Sequence, residues 1–174
     1  AVDALALSPE AVIVDVGCGA GAALRHASQK VTPGRLIGVD PVPRMVEIAR
    51  ERATGHPAQE RLEFRVGPAE ALPVEDGMAD VVFAFDSFDH WQDKSAGLAE
   101  IRRILRPNGQ LAVVKDGDVP GGTDVRDAFE EAAVNAGFAL GHRQSIAQDG
   151  VSFALWVCRV ASLTGNRPTD DRRG

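Results

Sequence analysis

The sequence predicts an α/β fold in one domain: a mostly parallel sheet with helices on both faces, closed by an antiparallel hairpin. Three observations carry that expectation. Short β-branched apolar runs alternate with helix-length segments, and strands joined by helical crossovers pair in parallel. A glycine turn, Gly17-Cys18-Gly19-Ala20-Gly21, follows the first of those runs. Near the other end only Asp149-Gly150 separates two long strand-like segments, a two-residue hairpin signal because both central positions of such a turn need positive φ. The chain has 174 residues, 44% hydrophobic and 25% charged, which suits one core better than two small ones.

The elements follow in order. Residues 2–7 read as the last turns of a helix, and the apolar run 11–16 as a buried strand that ends at the glycines. A helix over 21–30 opens from the glycine turn. A second strand covers 35–40, a helix rich in good formers 43–52, and an alternating third strand 62–66. The fourth strand is 79–85 and the next helix 94–105, with Pro107-Asn108-Gly109 as its stop and 111–115 as the fifth strand. A helix over 124–136 halts at Gly137, and 138–148 and 151–160 form the hairpin. Residues 164–174 mix glycine, proline, aspartate and arginine without apolar period, so 1–163 is the expected domain and the rest a disordered tail.

Composition removes several function classes. The net charge is −6 and the basic residues form no dense block, which disfavours a phosphate-tracking groove and hence a nucleic-acid partner. No apolar run approaches the roughly 20 residues that span a bilayer, and the start lacks a signal-peptide pattern, so no membrane partner and a cytoplasmic location are expected. Two cysteines, Cys18 and Cys158, exclude a disulfide framework and a four-cysteine zinc site, and no metal is expected. There is no tyrosine to act as acid or base.

The chemistry concentrates around the glycine turn. Glycines allow close backbone approach to a ligand, and the helix that follows offers free N–H groups to an anion. Gly17, Gly19 and Ala22 also fit the G-x-G-x-x-A dinucleotide fingerprint, with Asp40 near the ribose-binding distance. Asp15, at the carboxyl end of a central strand, is costly to bury without a donor or a cation. A pyrophosphate would worsen its position and a ligand ammonium would favour it; the alternative is an aspartate that ties down its own turn.

Five ordered segments resemble the class I S-adenosylmethionine-dependent methyltransferases, in particular the small-molecule branch that includes ubiquinone/menaquinone-biosynthesis enzymes. They are Val14-Asp15-Val16-Gly17-Cys18-Gly19-Ala20-Gly21; Leu36-Ile37-Gly38-Val39-Asp40-Pro41-Val42-Pro43-Arg44-Met45; Val66-Gly67-Pro68-Ala69-Glu70-Ala71-Leu72-Pro73; Asp80-Val81-Val82-Phe83 with Asp89-His90-Trp91-Gln92-Asp93; and the stretch from Glu100 to Leu111. The resemblance implies a Rossmann-like seven-stranded sheet in the order 3-2-1-4-5-7-6 with the last strand antiparallel. It also implies S-adenosylmethionine as cofactor, S-adenosylhomocysteine as product, and in-line methyl displacement onto a small-molecule acceptor. Orientation of this kind contributes up to roughly 7–11 kcal/mol.

By position, the resemblance implies that Gly17, Gly19 and Gly21 contact the methionine end of the cofactor. Asp15 would hold its amino group, directly or through water, and Asp40 both ribose hydroxyls. Pro41 and Val42 would lie on one adenine face, or simply pack the helix start. Ala69 would offer its N–H to the adenine edge with Glu70 nearby, although Glu70 also reads as a helix N-terminal charge. Phe85 would join the cofactor site. Position 68, often aspartate in relatives, is proline, so adenine recognition falls to Glu70, a carbonyl or water. His90 stands as catalytic base, or as a histidine capping its loop or packing on Trp91; Trp91 as lid or core; Cys18 as a small turn residue; and Arg102, Arg103 and Arg106 as a solvated helix face. Asp86 and Asp89 at the cofactor mouth, with Asp15 further in, would repel a phosphate-rich acceptor, and Phe85, Phe88 and Trp91 would wall an aromatic or partly apolar one. Two rival readings are a non-catalytic methyltransferase-like subunit and a nicotinamide oxidoreductase. The residues also leave open a homodimer.

Overall fold

The computed structural model describes residues 1–118, 127–148 and 150–161. Among them lie seven strands: β1 (Val12–Val16), β2 (Arg35–Asp40), β3 (Leu62–Val66), β4 (Ala79–Phe85), β5 (Leu105–Asp116), β6 (Phe138–Gln148) and β7 (Val151–Val160). They form one sheet in the order β3-β2-β1-β4-β5-β7-β6. β1 pairs in parallel with β2 and β4, β2 with β3 and β4 with β5, whereas β7 runs antiparallel to both β5 and β6. The expected topology therefore holds throughout. Gly150 takes φ +80° in the turn between β6 and β7, while Asp149 lies outside the described residues.

Strand alternation sends successive side chains to opposite faces, and each face has its own core. On one, Val14, Val16, Val82 and Val113 pack against α3 (Lys94–Ile104) and α4 (Ala128–Asn135) through Leu98, Ile101 and Phe129. On the other, Ile13, Leu36, Phe83 and Val114 pack against α1 (Ala22–Ala27) and α2 (Pro43–Ala53) through Leu24, Val46 and Ala49. Pro43 opens α2 where its missing N–H costs nothing. Asp93 and Asp127 cap α3 and α4, accepting from Ala96 N at 2.9 Å and Phe129 N at 2.7 Å.

Several boundaries differ from expectation for local reasons. The first segment makes only a 3-10 turn, Val2–Ala4. α1 stops at Ala27, three residues early, where Ser28 Oγ turns back onto Arg25 O at 2.7 Å. α3 ends at Ile104, ahead of Pro107-Asn108-Gly109, and those three residues lie inside β5. The β4–β5 register jumps there from Ala79↔Leu105 to Val81↔Gln110, and Asn108 takes φ +68°. A proline is tolerated at such an irregularity because no ladder donor is required of it. α4 starts at Ala128; residues 124–126 of its expected span, and the expected tail 164–174, lie outside the described residues.

Of the three arginines expected on a solvated helix face, Arg102 and Arg106 are exposed, Arg106 already inside β5, whereas Arg103 is half-buried. Arg103 donates to Leu72 O, Val74 O, Glu100 and Asp76 at 2.6–3.0 Å, fastening the β3–β4 connection to the helix. Arg106 grips both oxygens of Asp80, whose Oδ2 also takes Val12 N, and Arg102 donates to Ala136 O.

Candidate functional site

A cavity of about 630 Å³ opens at the carboxyl ends of β1, β2 and β4. This is the crevice where the winding reverses, between β1 and β4, and the size lies within the range of small-molecule sites.

Val16 and Gly17, where the glycine turn begins, line the cavity, whereas Gly19 and Gly21 are not among its lining residues. The N–H groups of Gly17 and Cys18 both donate to Val39 O, at 2.8 and 3.1 Å, so β2 fixes how the chain leaves β1. Asp40, 6% exposed, completes the frame: Oδ2 accepts from Gly19 N at 2.8 Å and Oδ1 from Val42 N at 2.9 Å. A carboxylate oxygen has two lone pairs, so each oxygen keeps capacity for a ligand hydroxyl. Asp40 thus anchors the helix start and remains competent to bind.

Gly17 has φ +77° and lies under Ser87, whose Oγ donates to Val16 O at 2.6 Å and so ties the end of β4 to the end of β1. A Cβ at Gly17 would overlap Ser87 Cβ. Gly17→Ala is therefore expected to cost about 1–3 kcal/mol in stability through overpacking and left-handed backbone strain. Urea unfolding measures it, and Ser87→Gly in the same chain should restore part of the loss. An unchanged midpoint would show that the turn yields freely. Gly21, at φ +73°, sits against the Phe64 ring, which a Cβ there would approach to 2.6 Å, while a Cβ at Gly19 would meet nothing within 4 Å.

The walls come from two turns. Pro41, Val42 and Met45 stand on one side, with Val42 half-exposed and Met45 exposed toward solvent. Pro68, buried Ala69 and Glu70 stand opposite. No helix follows Glu70; instead its Oε1 accepts from Asp93 N at 2.9 Å, latching the β3–β4 connection to the segment after β4. That segment supplies Asp86, Ser87, His90 and Trp91. His90 is exposed on the cavity rim, and its ring has no partner among the described residues. Trp91 is 8% exposed, meets the Phe88 ring edge-on at 5.1 Å, and needs Gly97 beneath it, where a Cβ would come within 2.6 Å of the indole. It is core and cavity wall together.

Asp15 does not line the cavity. It sits behind the glycine turn, in register with Gly38 on one side and Phe83 on the other, 2% exposed. In the turn, Gly17 N and Cys18 N donate to Val39 O, Gly19 N to Asp40 and Gly21 N to Cys18 O, so Asp15 does not tie down its own turn. No described residue donates to its carboxylate, and burial, then the negative charge of Asp40, push its pKa up to about 7. Cys18 is buried, with its thiol pushed far above its usual pKa mainly by burial, which leaves it inert at neutral pH.

Phe85 is not brought to the site. Strand parity puts it with Phe83, stacked at 4.6 Å, on the α1 and α2 face. Phe88 is fully buried between Trp91 and Phe129, so of the three expected aromatic walls only Trp91 reaches the cavity. Asp89 is likewise absent from the lining and pairs with Lys115 at 3.4 Å. Met45, Ser87 and Asp93 line the cavity without having been singled out as site residues in the sequence. The signal for Ser87 was its place two residues beyond β4, opposite a glycine turn.

Residues 14–113 match the family model described as methyltransferase domain. An arsenite methyltransferase of Halobacterium salinarum is 37% identical over 109 residues, 62% of this chain and 28% of that protein. A ubiquinone/menaquinone biosynthesis C-methyltransferase of Geotalea uraniireducens is 34% identical over 104 residues, 59% of this chain and 44% of that protein. The chain thus spans less than half the length of these curated relatives. Among solved structures, an Aquifex aeolicus SAM-dependent methyltransferase superimposes with a TM-score of 0.75 at 21% identity, covering 90% of this chain and 86% of that one. The cyclase SpnF superimposes at 0.77 with 18% identity, covering 89% and 77%. One fold therefore carries more than one chemistry, and the reaction has to be argued from the site.

Proposed function

The chain belongs to the methyltransferase domain family of class I S-adenosylmethionine-dependent enzymes, and from that premise we propose that it transfers a methyl group from S-adenosylmethionine to a small-molecule acceptor. The observation that carries the reading is Asp15: a nearly buried carboxylate with no donor among the described residues, behind a glycine turn at the switch point, has a use for a ligand ammonium and none for a pyrophosphate. The same feature argues against the nicotinamide reading.

In this reading the two open lone pairs of Asp40 take the ribose hydroxyls. Pro41, Val42 and Met45 cover one face of the adenine, and Ala69 supports its edge. Pro68 has no side-chain acceptor, so the free Glu70 oxygen takes that role. The glycine turn brings backbone close to the methionine end, and Asp15, behind that turn and outside the cavity lining, acts on the amino group through water. When bound, S-adenosylmethionine supplies an electrophilic methyl on a sulfonium. The protein's contribution is to align the acceptor with the carbon–sulfur bond and to exclude water. His90, on the rim, accepts the acceptor's proton if one must leave.

Calorimetry with S-adenosylmethionine, S-adenosylhomocysteine and NAD tests this. The first two should bind and NAD should not. Binding of NAD alone would overturn the reading. Tight cofactor binding without any labelled product from small-molecule pools would move the chain to a non-catalytic, cofactor-binding subunit.

A further inference from the structure

The cavity wall has a one-sided charge. Asp40, Glu70, Asp86 and Asp93 line it, and among the described residues no lysine or arginine does. Three of these carboxylates are already engaged by backbone: Asp40 by Gly19 and Val42, Glu70 by Asp93, and Asp93 by Ala96. Asp86 is different. Its carboxylate has no hydrogen-bond or ion-pair partner among the described residues, it is exposed, and its backbone sits at φ +53°, an uncommon conformation for a residue other than glycine. That backbone is fixed by its own N–H, which donates to Val114 O at 2.8 Å, and by Ser87 next to it.

The nearby cations do not neutralise it. Lys115 is held between Asp127 at 3.1 Å and Asp89 at 3.4 Å, and Lys94 donates to Asp89 O. Asp86 also belongs to the segment after β4, away from the β2–α2 turn that takes ribose and adenine. We propose that the acceptor carries a basic nitrogen and that Asp86 is the carboxylate that anchors it; this rests on the methyl-transfer reading. An ammonium there makes a charge-assisted hydrogen bond to an otherwise idle carboxylate, and Trp91 adds an aromatic wall that also favours cations. A carboxylate- or phosphate-bearing acceptor would meet four negative side chains and, among the described residues, no compensating cation in the lining.

The test uses the protein saturated with S-adenosylhomocysteine and three probes that share one ring and differ in the arm: 2-phenylethylamine, 2-phenylethanol and 3-phenylpropionate. Calorimetry should show the amine binding at least roughly tenfold more tightly than the alcohol, with the carboxylate weakest. Asp86→Asn, an amide that tolerates the left-handed backbone, and Asp86→Gly, which relieves it, should both erase the preference for the amine. Their affinity for S-adenosylhomocysteine should stay within about twofold, which also shows that they fold. Equal or tighter binding of the alcohol or carboxylate would overturn the assignment, as would failure of the amine to bind the loaded protein or a preference that survives both substitutions. Failure of S-adenosylhomocysteine to bind the unaltered protein is a separate result, which would bring down the methyl-transfer reading and this assignment with it.

Discussion

Replacing Asp40 by alanine is expected to weaken S-adenosylmethionine binding by about 3–6 kcal/mol, which is roughly a hundredfold to ten-thousandfold in Kd. The carboxylate is proposed to accept two ribose hydroxyls, and each hydrogen bond to a charged group is worth about 1.5–3 kcal/mol. The substitution also frees Gly19 N and Val42 N, which Asp40 holds at 2.8 and 2.9 Å, so the glycine turn loses one of its ties to β2 and keeps those to Val39 O. Asp40→Asn separates the two effects. An asparagine keeps one oxygen acceptor for a backbone donor but presents an amide where the second hydroxyl bond belongs, so its loss should fall between wild type and alanine. Calorimetry reads both variants, with urea unfolding alongside to record what the turn contributes to stability. A Kd unchanged in the alanine variant would reduce Asp40 to a frame residue that only organises the two turns.

The parts of this architecture that could be read in the sequence are those that depend on local chemistry. β-branched runs, helix-length segments between them and the Asp149-Gly150 pair give the strands, their parallel crossovers and the terminal hairpin, while the strand order comes from the family resemblance, and β7 does run antiparallel to β5. Gly17, Asp40, Pro41, Val42, Ala69, Glu70 and His90 all reach the cavity because they stand at or just beyond strand ends, where a residue's position along the chain is nearly its position in space. Phe85 failed on parity: a strand's last residue belongs to whichever face the period of two assigns, and 81, 83 and 85 share the α1 and α2 face. The role of Arg103 was hidden for a different reason. Its acceptors, Leu72 O, Val74 O and Asp76, lie 27–31 residues away and include main-chain oxygens that no side-chain pattern reveals. Pro107-Asn108-Gly109 reads equally as a helix stop or a strand irregularity, and only the pairing with Ala79 and Val81 decides between them.

Asp15→Asn is expected to stabilise the ligand-free protein, and to do so more as pH rises. Burial and the Asp40 charge lift the Asp15 pKa from 3.8 to about 7. A group whose folded pKa is raised contributes fully below its unfolded pKa, and that contribution is lost as pH climbs through the folded value. Ionising Asp15 in the folded chain at pH 8 therefore costs about 4 kcal/mol relative to the unfolded chain, against less than about 2 kcal/mol at pH 5. Asparagine has no charge to bury, so the gap between variant and wild type in urea should widen by about 2–3 kcal/mol from pH 5 to pH 8. A gap that does not change with pH would mean that Asp15 is ionised at little cost, either through a donor that reaches it or through solvent. Ligand binding should run in the opposite sense. An ammonium near Asp15 favours the ionised form, so wild-type affinity for S-adenosylmethionine should fall as pH drops below about 7, and the asparagine variant should lose that dependence along with part of its affinity. The residue that makes the empty fold less stable at neutral pH is thus the one expected to favour a cationic ligand, and stability and affinity measured on one variant across one pH series test both halves of that opposition.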